Sequence, residues 1–209
     1  MKGLLLSVFF MLLFQNSNQY LDEISAYNKD SYYKQKAYSE NDWKRFYDSS
    51  IPNTILDLNH LDLHLLNAAL FYSTNKLRSS KGLKELEFSG PLRDAAVVHT
   101  YEMVKRNFFD HYNRKNRKLY SPANRFELFE VRANATAENV ALNYLNPGSP
   151  KTYIQIADIV VDALFHSKEH RLNMLSKNYS KLGCAIYFEQ KPKNGVWYFK
   201  ATQDFSSGN

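Results

Sequence analysis

A chain of 209 residues, 44% hydrophobic and 23% charged, suits one domain with a real core and room for an extension. The formal charge of +6 is spread along the chain, with its densest run at Arg114-Lys115-Asn116-Arg117-Lys118 and no nucleic-acid-binding motif beside it. A single cysteine, Cys184, excludes an intrachain disulfide framework.

The N-terminus reads as a signal peptide over residues 1–19. Lys2 precedes an apolar run from Gly3 to Phe14, and polar residues Gln15 to Gln19 follow. A run of about twelve residues is too short for a transmembrane helix, which needs about twenty, so no membrane anchor is expected. The expected location is extracellular or periplasmic. With no cysteine nearby, no lipid attachment is expected at the cleavage point.

Residues 20–57 form a tyrosine-rich, polar extension of short helices, expected to drape over the domain that occupies residues 58–209. From Leu58 the apolar positions Leu61, Leu65, Ala68, Ala69 and Tyr72 recur at helical spacing, and Gly82 provides the stop. His60 and His64 lie four apart on this stretch and read as surface histidines, since no third ligand is near. A second helix opens at Gly90-Pro91 and carries Leu92, Ala95, Ala96, His99 and Met103 inward, with His99 as a core histidine bonded to backbone. A polar loop follows, in which the basic run reads first as solvated surface and second as a contact for an anionic partner. A short helix is expected from Ser121-Pro122 to Phe129, and a long one from Tyr153 to His166. Leu182–Glu189 and Val196–Asp204, joined across Lys191-Pro192-Lys193-Asn194-Gly195, read as a β-hairpin. Helices first and strands last argue for an α+β fold.

The sequence His166-Ser167-Lys168-Glu169-His170 spells H-x-x-E-H, the pattern of inverted zinc peptidases. Downstream carboxylates are confined to Glu189 and Asp204, both in expected strands, so no further helix supplies a third ligand. If the helix continues through residue 170, Ser167 and His170 face inward, His166 sits at the margin, and Glu169 faces out. That is the wrong side for a catalytic glutamate.

Four segments together resemble the CAP superfamily (cysteine-rich secretory, antigen 5 and pathogenesis-related 1 proteins), in its bacterial SCP-like extracellular branch. They are Asn75-x-x-Arg78 with Gly82-Leu83, Asn107-Phe108-Phe109-Asp110-His111, Ala137-Glu138-Asn139-Val140-Ala141, and Ser167-x-x-His170-Arg171-x-Asn173-Met174-Leu175. Leu182-Gly183-Cys184-Ala185 and Gln203-Asp204-Phe205 extend the likeness. The resemblance implies an α-β-α sandwich with a central antiparallel sheet between helical layers. It also implies a cleft holding His111, Glu138 and His170, with Ser167 where the family often has a second carboxylate. Within that cleft His111 and His170 could hold a divalent cation such as zinc. Asn139 and Asn173 are expected to bond to backbone. The family's tryptophan is replaced by Leu164, and its Pro-Gly by Lys168-Glu169, a change expected to extend the helix. The expected function is a secreted, non-catalytic binding module for a lipid or sterol-like molecule, an envelope component or a protein. The alternatives are a metal-dependent hydrolase with Glu138 and His170 as catalytic groups, and an interaction protein docking through its tyrosine-rich extension.

Overall fold

The structure, a computed structural model, describes residues 17–24, 30–146 and 148–208; most of the expected signal peptide lies outside the described residues. The elements, in chain order, are α1 (Lys36–Glu40), α2 (Trp43–Asp48), α3 (Leu63–Ser80), β1 (Glu87–Phe88), α4 (Gly90–Lys105) and α5 (Pro122–Leu128). They continue with β2 (Thr136–Leu145), α6 (Tyr153–His166), α7 (Lys168–Leu175), β3 (Lys181–Phe188) and β4 (Trp197–Ser206). The strands form one sheet in the order β1-β3-β4-β2. β2, β4 and β3 run antiparallel, while the two-residue β1 lies parallel to β3. The three long strands make the expected antiparallel sheet, and the short β1 adds a parallel edge to it. Helix α4 packs its apolar stripe, Leu92, Ala95 and Ala96, against one face. Helices α3 and α6 bury theirs against the other, with Cys184, Ile186 and Phe199. The result is the expected helix-sheet-helix arrangement.

Local chemistry sets the ends of these elements. Asp62 caps α3 through its carboxylate, accepting from the backbone N–H groups of His64 and Leu65. That cap starts the helix after Leu58 and Leu61, and separates the two histidines. His60 stays exposed beside Asp57, whereas His64 is buried at 1% exposure, so reading both as surface residues was half right. Capping boxes open α5 (Ser121 with Asn124) and α6 (Thr152 with Gln155). The β3–β4 hairpin turns through Asn194 and Gly195, both at positive φ (52° and 78°), the geometry of a tight primed turn. Gly183 is required by packing: a Cβ there would lie 2.0 Å from the backbone nitrogen of Arg93, where α4 presses onto β3.

The tyrosine-rich segment is spent on the domain. Tyr38 stacks on Phe88 with ring centroids 3.7 Å apart, and Phe46 stacks on Tyr72. Tyr72 donates its hydroxyl to the carbonyl of Ala37, and the Tyr47 hydroxyl donates to Asp158 on α6. Burying these rings supplies apolar area, and satisfying each hydroxyl avoids the cost of an unpaired buried polar group.

Candidate functional site

β2 places Glu138 opposite Asp204 of β4 and Gly183 of β3 in one row of the sheet. Because side chains alternate along a strand, Glu138 shares its face with Val140, and Asp204 shares its face with Thr202, whose hydroxyl accepts from Thr100 of α4. Asn139, Gln203 and Cys184 fall on the opposite face, and Gln203 there donates to Thr74 of α3.

Glu138 is held from two sides. His111, from the loop after α4, donates Nδ1–H to Oε1 at 2.7 Å. Arg125, from α5, donates an Nη2–H to Oε2 at 2.5 Å. Arg125 is fully buried and also donates to the carbonyl oxygens of Leu119 and His111, so one guanidinium ties the His111 loop, the following turn and β2 together. His99, also fully buried, donates Nε2–H to the Asp110 carbonyl at 3.1 Å, as expected of a core histidine. The same nitrogen lies 3.9 Å from Glu138 Oε1, a proximity that sequence reasoning missed.

Electrostatics follow from these contacts. Burial works against an ionised Glu138, but the hydrogen bond from His111, then His99 and Arg125, outweigh it and lower its pKa below the ordinary carboxylate value. The hydrogen bond to Glu138 raises the pKa of His111 above the usual imidazole range, against the opposing effect of half burial. Burial drives His99 down to about 4, so it is neutral at physiological pH. Burial, and then the charge of His111, also lower His170.

The second arm of the site comes from α6 and α7. The expected continuous helix does not form. Ser167 adopts extended backbone (φ −83°, ψ 126°), ending α6 and starting α7, so Lys168-Glu169 opens a new helix instead of prolonging the old one. His166 and Glu169 are exposed, and His166 donates Nδ1–H to the Asp162 carbonyl one turn back, which leaves H-x-x-E-H without a convergent ligand set. Ser167 and His170 are half-buried. Asn139 fixes the height of α7 by donating to the carbonyl oxygen of His170 at 3.1 Å, and its own oxygen accepts from Asn173 at 2.8 Å. The expectation of backbone bonding therefore holds for Asn139, while Asn173 bonds to a side chain.

His111 and Glu138 are thus joined directly. His170 is brought near enough to sense the charge of His111, and Ser167 makes no described hydrogen bond to His170. Among the described residues, no three His, Cys, Asp or Glu side chains converge as a metal set. A cation here would rest on His111 and His170, with solvent completing its shell. The donor chemistry fits. His111 commits Nδ1 to a carboxylate and leaves Nε2 available, the arrangement in which a carboxylate behind the ring orients a ligating imidazole.

Arg125 and Asp204 are the site residues that sequence reasoning passed over. Arg125 lies four before Phe129 on a short amphipathic helix, a polar residue on the apolar stripe. Asp204 lies in a strand that turns out to be buried on both faces, where a carboxylate is anomalous.

The cysteine-rich secretory protein (CAP) family model matches residues 71–201. YkwD of Bacillus subtilis (strain 168), itself uncharacterized, is 28% identical over 110 residues, which span 53% of this chain and 38% of that protein. Well under half the length of that relative is therefore matched. Among solved structures, an extracellular protein containing an SCP domain from Bacillus anthracis superposes with a TM-score of 0.56 at 22% identity, covering 73% of this chain and 44% of that one. An outer surface protein from Borrelia burgdorferi superposes with a TM-score of 0.51 at 17% identity, covering 75% of this chain and 99% of that one. These likenesses carry the fold.

Proposed function

The chain belongs to the cysteine-rich secretory protein (CAP) family, and from that premise we propose that it is an exported, non-catalytic binding module. Its ligand, a lipid or sterol-like molecule, an envelope component or a protein, meets the cleft of His111, Glu138, Ser167 and His170. The observation that carries this reading is that both oxygens of Glu138 are already committed, one to His111 and one to Arg125. A general base needs a pKa near the working pH, and the donors on Glu138 instead lower its pKa below the ordinary carboxylate value. Ser167 lacks a hydrogen-bonded base, so a Ser/His pair is unsupported as well. These two facts weigh against the hydrolase alternative. The packing of Tyr38 and Tyr47 into the domain weighs against the extension as a docking arm. Export is supported by the leader-like first residues and by relatives described as extracellular or outer-surface. No helix among the described residues is long and apolar enough to cross a membrane.

Within this module a divalent cation is held weakly by His111 and His170. Calorimetric titration of the full chain with Zn²⁺ tests it. Binding is expected for the native protein and absent for a His111→Ala/His170→Ala variant, whereas identical heats for the two proteins would sink the metal assignment. Binding should also weaken as pH falls through the raised pKa of His111, since a ligating imidazole must be unprotonated. Mass spectrometry of small molecules that copurify with the native chain, but not with that variant, would identify the principal ligand.

A further inference from the structure

Asp204 is fully buried on the interior strand β4, directly opposite Glu138 in the β2–β4 register. Among the described residues, neither of its carboxyl oxygens meets an N–H or O–H donor. The groups around it are committed elsewhere, except for Arg125 Nε and His99 Nδ1, which like the Asp204 oxygens have no partner among the described residues. On β3 its partner is Gly183, which has no side chain. On α5 the terminal nitrogens of Arg125 are spent on Leu119, His111 and Glu138. On α4 His99 gives its Nε2–H to Asp110 and is neutral, and Arg93 pairs with Asp94. Cys184 on β3 lies on the opposite face of the sheet, and burial keeps its thiol protonated. A buried carboxylate with no donor and no counter-charge of its own takes up a proton instead. Two carboxyls facing each other in such a place cannot both ionise, and Glu138, with His111 and Arg125 in contact, is the one that does.

We propose that Asp204 stands in the folded protein as the neutral acid and donates its proton to the Glu138 carboxylate, acting as a positioning residue for the candidate site. A carboxyl–carboxyl contact is a hydrogen bond only when one oxygen carries a proton, so the lack of a donor facing Asp204 is what this state produces. Glu138 then accepts from three directions: His111, Arg125 and Asp204. Burial, followed by the charge of Glu138, pushes the Asp204 pKa well above the ordinary carboxylate value, in the same direction. The significance for binding rests on the cleft proposed above, but the protonation state does not.

The test compares the full chain with Asp204→Asn, which keeps a donor toward Glu138 but cannot titrate. Urea unfolding is measured at pH 5, 6 and 7. Folding of the native protein requires a proton that the variant does not need, so its stability should fall with rising pH relative to the variant. The ratio of their unfolding constants should shift tenfold per pH unit against the native protein. A ratio constant from pH 5 to 7 would mean an ionised Asp204 and overturn the proposal. The His111 titration midpoint should be the same in both proteins. A lower midpoint in the variant would show that a negative charge had been removed, and would overturn the proposal equally. Should the variant fail to fold, the isotope-edited carboxyl carbon resonance of Asp204 in the native protein decides. It should stay at its protonated position from pH 5 to 7, and an ionised position would refute the assignment. Failure of Zn²⁺ to bind would leave all of these results standing.

Discussion

Replacing Arg125 by methionine perturbs the site most informatively. The residue is fully buried and makes three hydrogen bonds, to the carbonyls of Leu119 and His111 and to Glu138. Methionine fills much of the same space but leaves Glu138 a buried charge with His111 as its one remaining charged donor. Removing one member of a buried ion pair costs about 3–5 kcal/mol. In a domain of this size, that corresponds to a fall in Tm of about 6–20 °C. Thermal and urea denaturation measure the loss, and a double-mutant cycle with Glu138→Gln separates the stranded charge from lost packing. The double variant should recover part of the loss, because neutral glutamine no longer needs the guanidinium. Arg125 also opposes protonation of His111, so the His111 midpoint should rise further in Arg125→Met. A loss under about 1 kcal/mol, or strictly additive single variants, would refute the reasoning.

Two further perturbations probe the frame around the site. His99 is buried neutral at about 4, so the native protein should lose stability as pH falls from the ordinary imidazole value toward that number, by about 3 kcal/mol in all. His99→Gln should flatten that slope in denaturation at pH 4–7; an unchanged slope would mean that His99 is not the group responsible. Gly183→Ala would drive a methyl group into the Leu92–Arg93 backbone at 2.0–2.2 Å, an overpacking expected to cost about 3 kcal/mol or more, and near-native stability in urea would contradict the packing described for α4 on β3.

The sequence made the helices and the hairpin legible because their signals are local. Spacing reveals α3, α4 and α6, and Asn194-Gly195 announces its own turn. Strand β2 was legible only as a motif, Ala137-Glu138-Asn139-Val140-Ala141, because its pairing partner, β4, lies some sixty residues later. The break at Ser167 was invisible to a helical wheel, which assumes continuity. It matters because it lets α7 leave the axis of α6 and carry His170 over the sheet, where Asn139 pins the backbone. The burial of His64 escaped for a related reason: the Asp62 cap, not the apolar periodicity, decides where α3 begins.

The site shows where such reading ends. His111, Glu138 and His170 were found by resemblance, which marks positions without saying what each side chain touches. The groups that decide the chemistry of Glu138 are Arg125, His99 and Asp204, from α5, α4 and β4. None stands out in isolation: an arginine in a short helix, a histidine in a core stripe, an aspartate near the end of a strand. They become meaningful when α4 covers the sheet and removes water, for then each charge must find a partner or a proton. Arg125 and His111 give Glu138 its partners, burial keeps His99 neutral, and Asp204 is left with a proton as its remaining means of being satisfied. With both Glu138 oxygens committed, what this cleft offers a ligand is the exposed edge of His111, the neutral ring of His170 and the hydroxyl of Ser167.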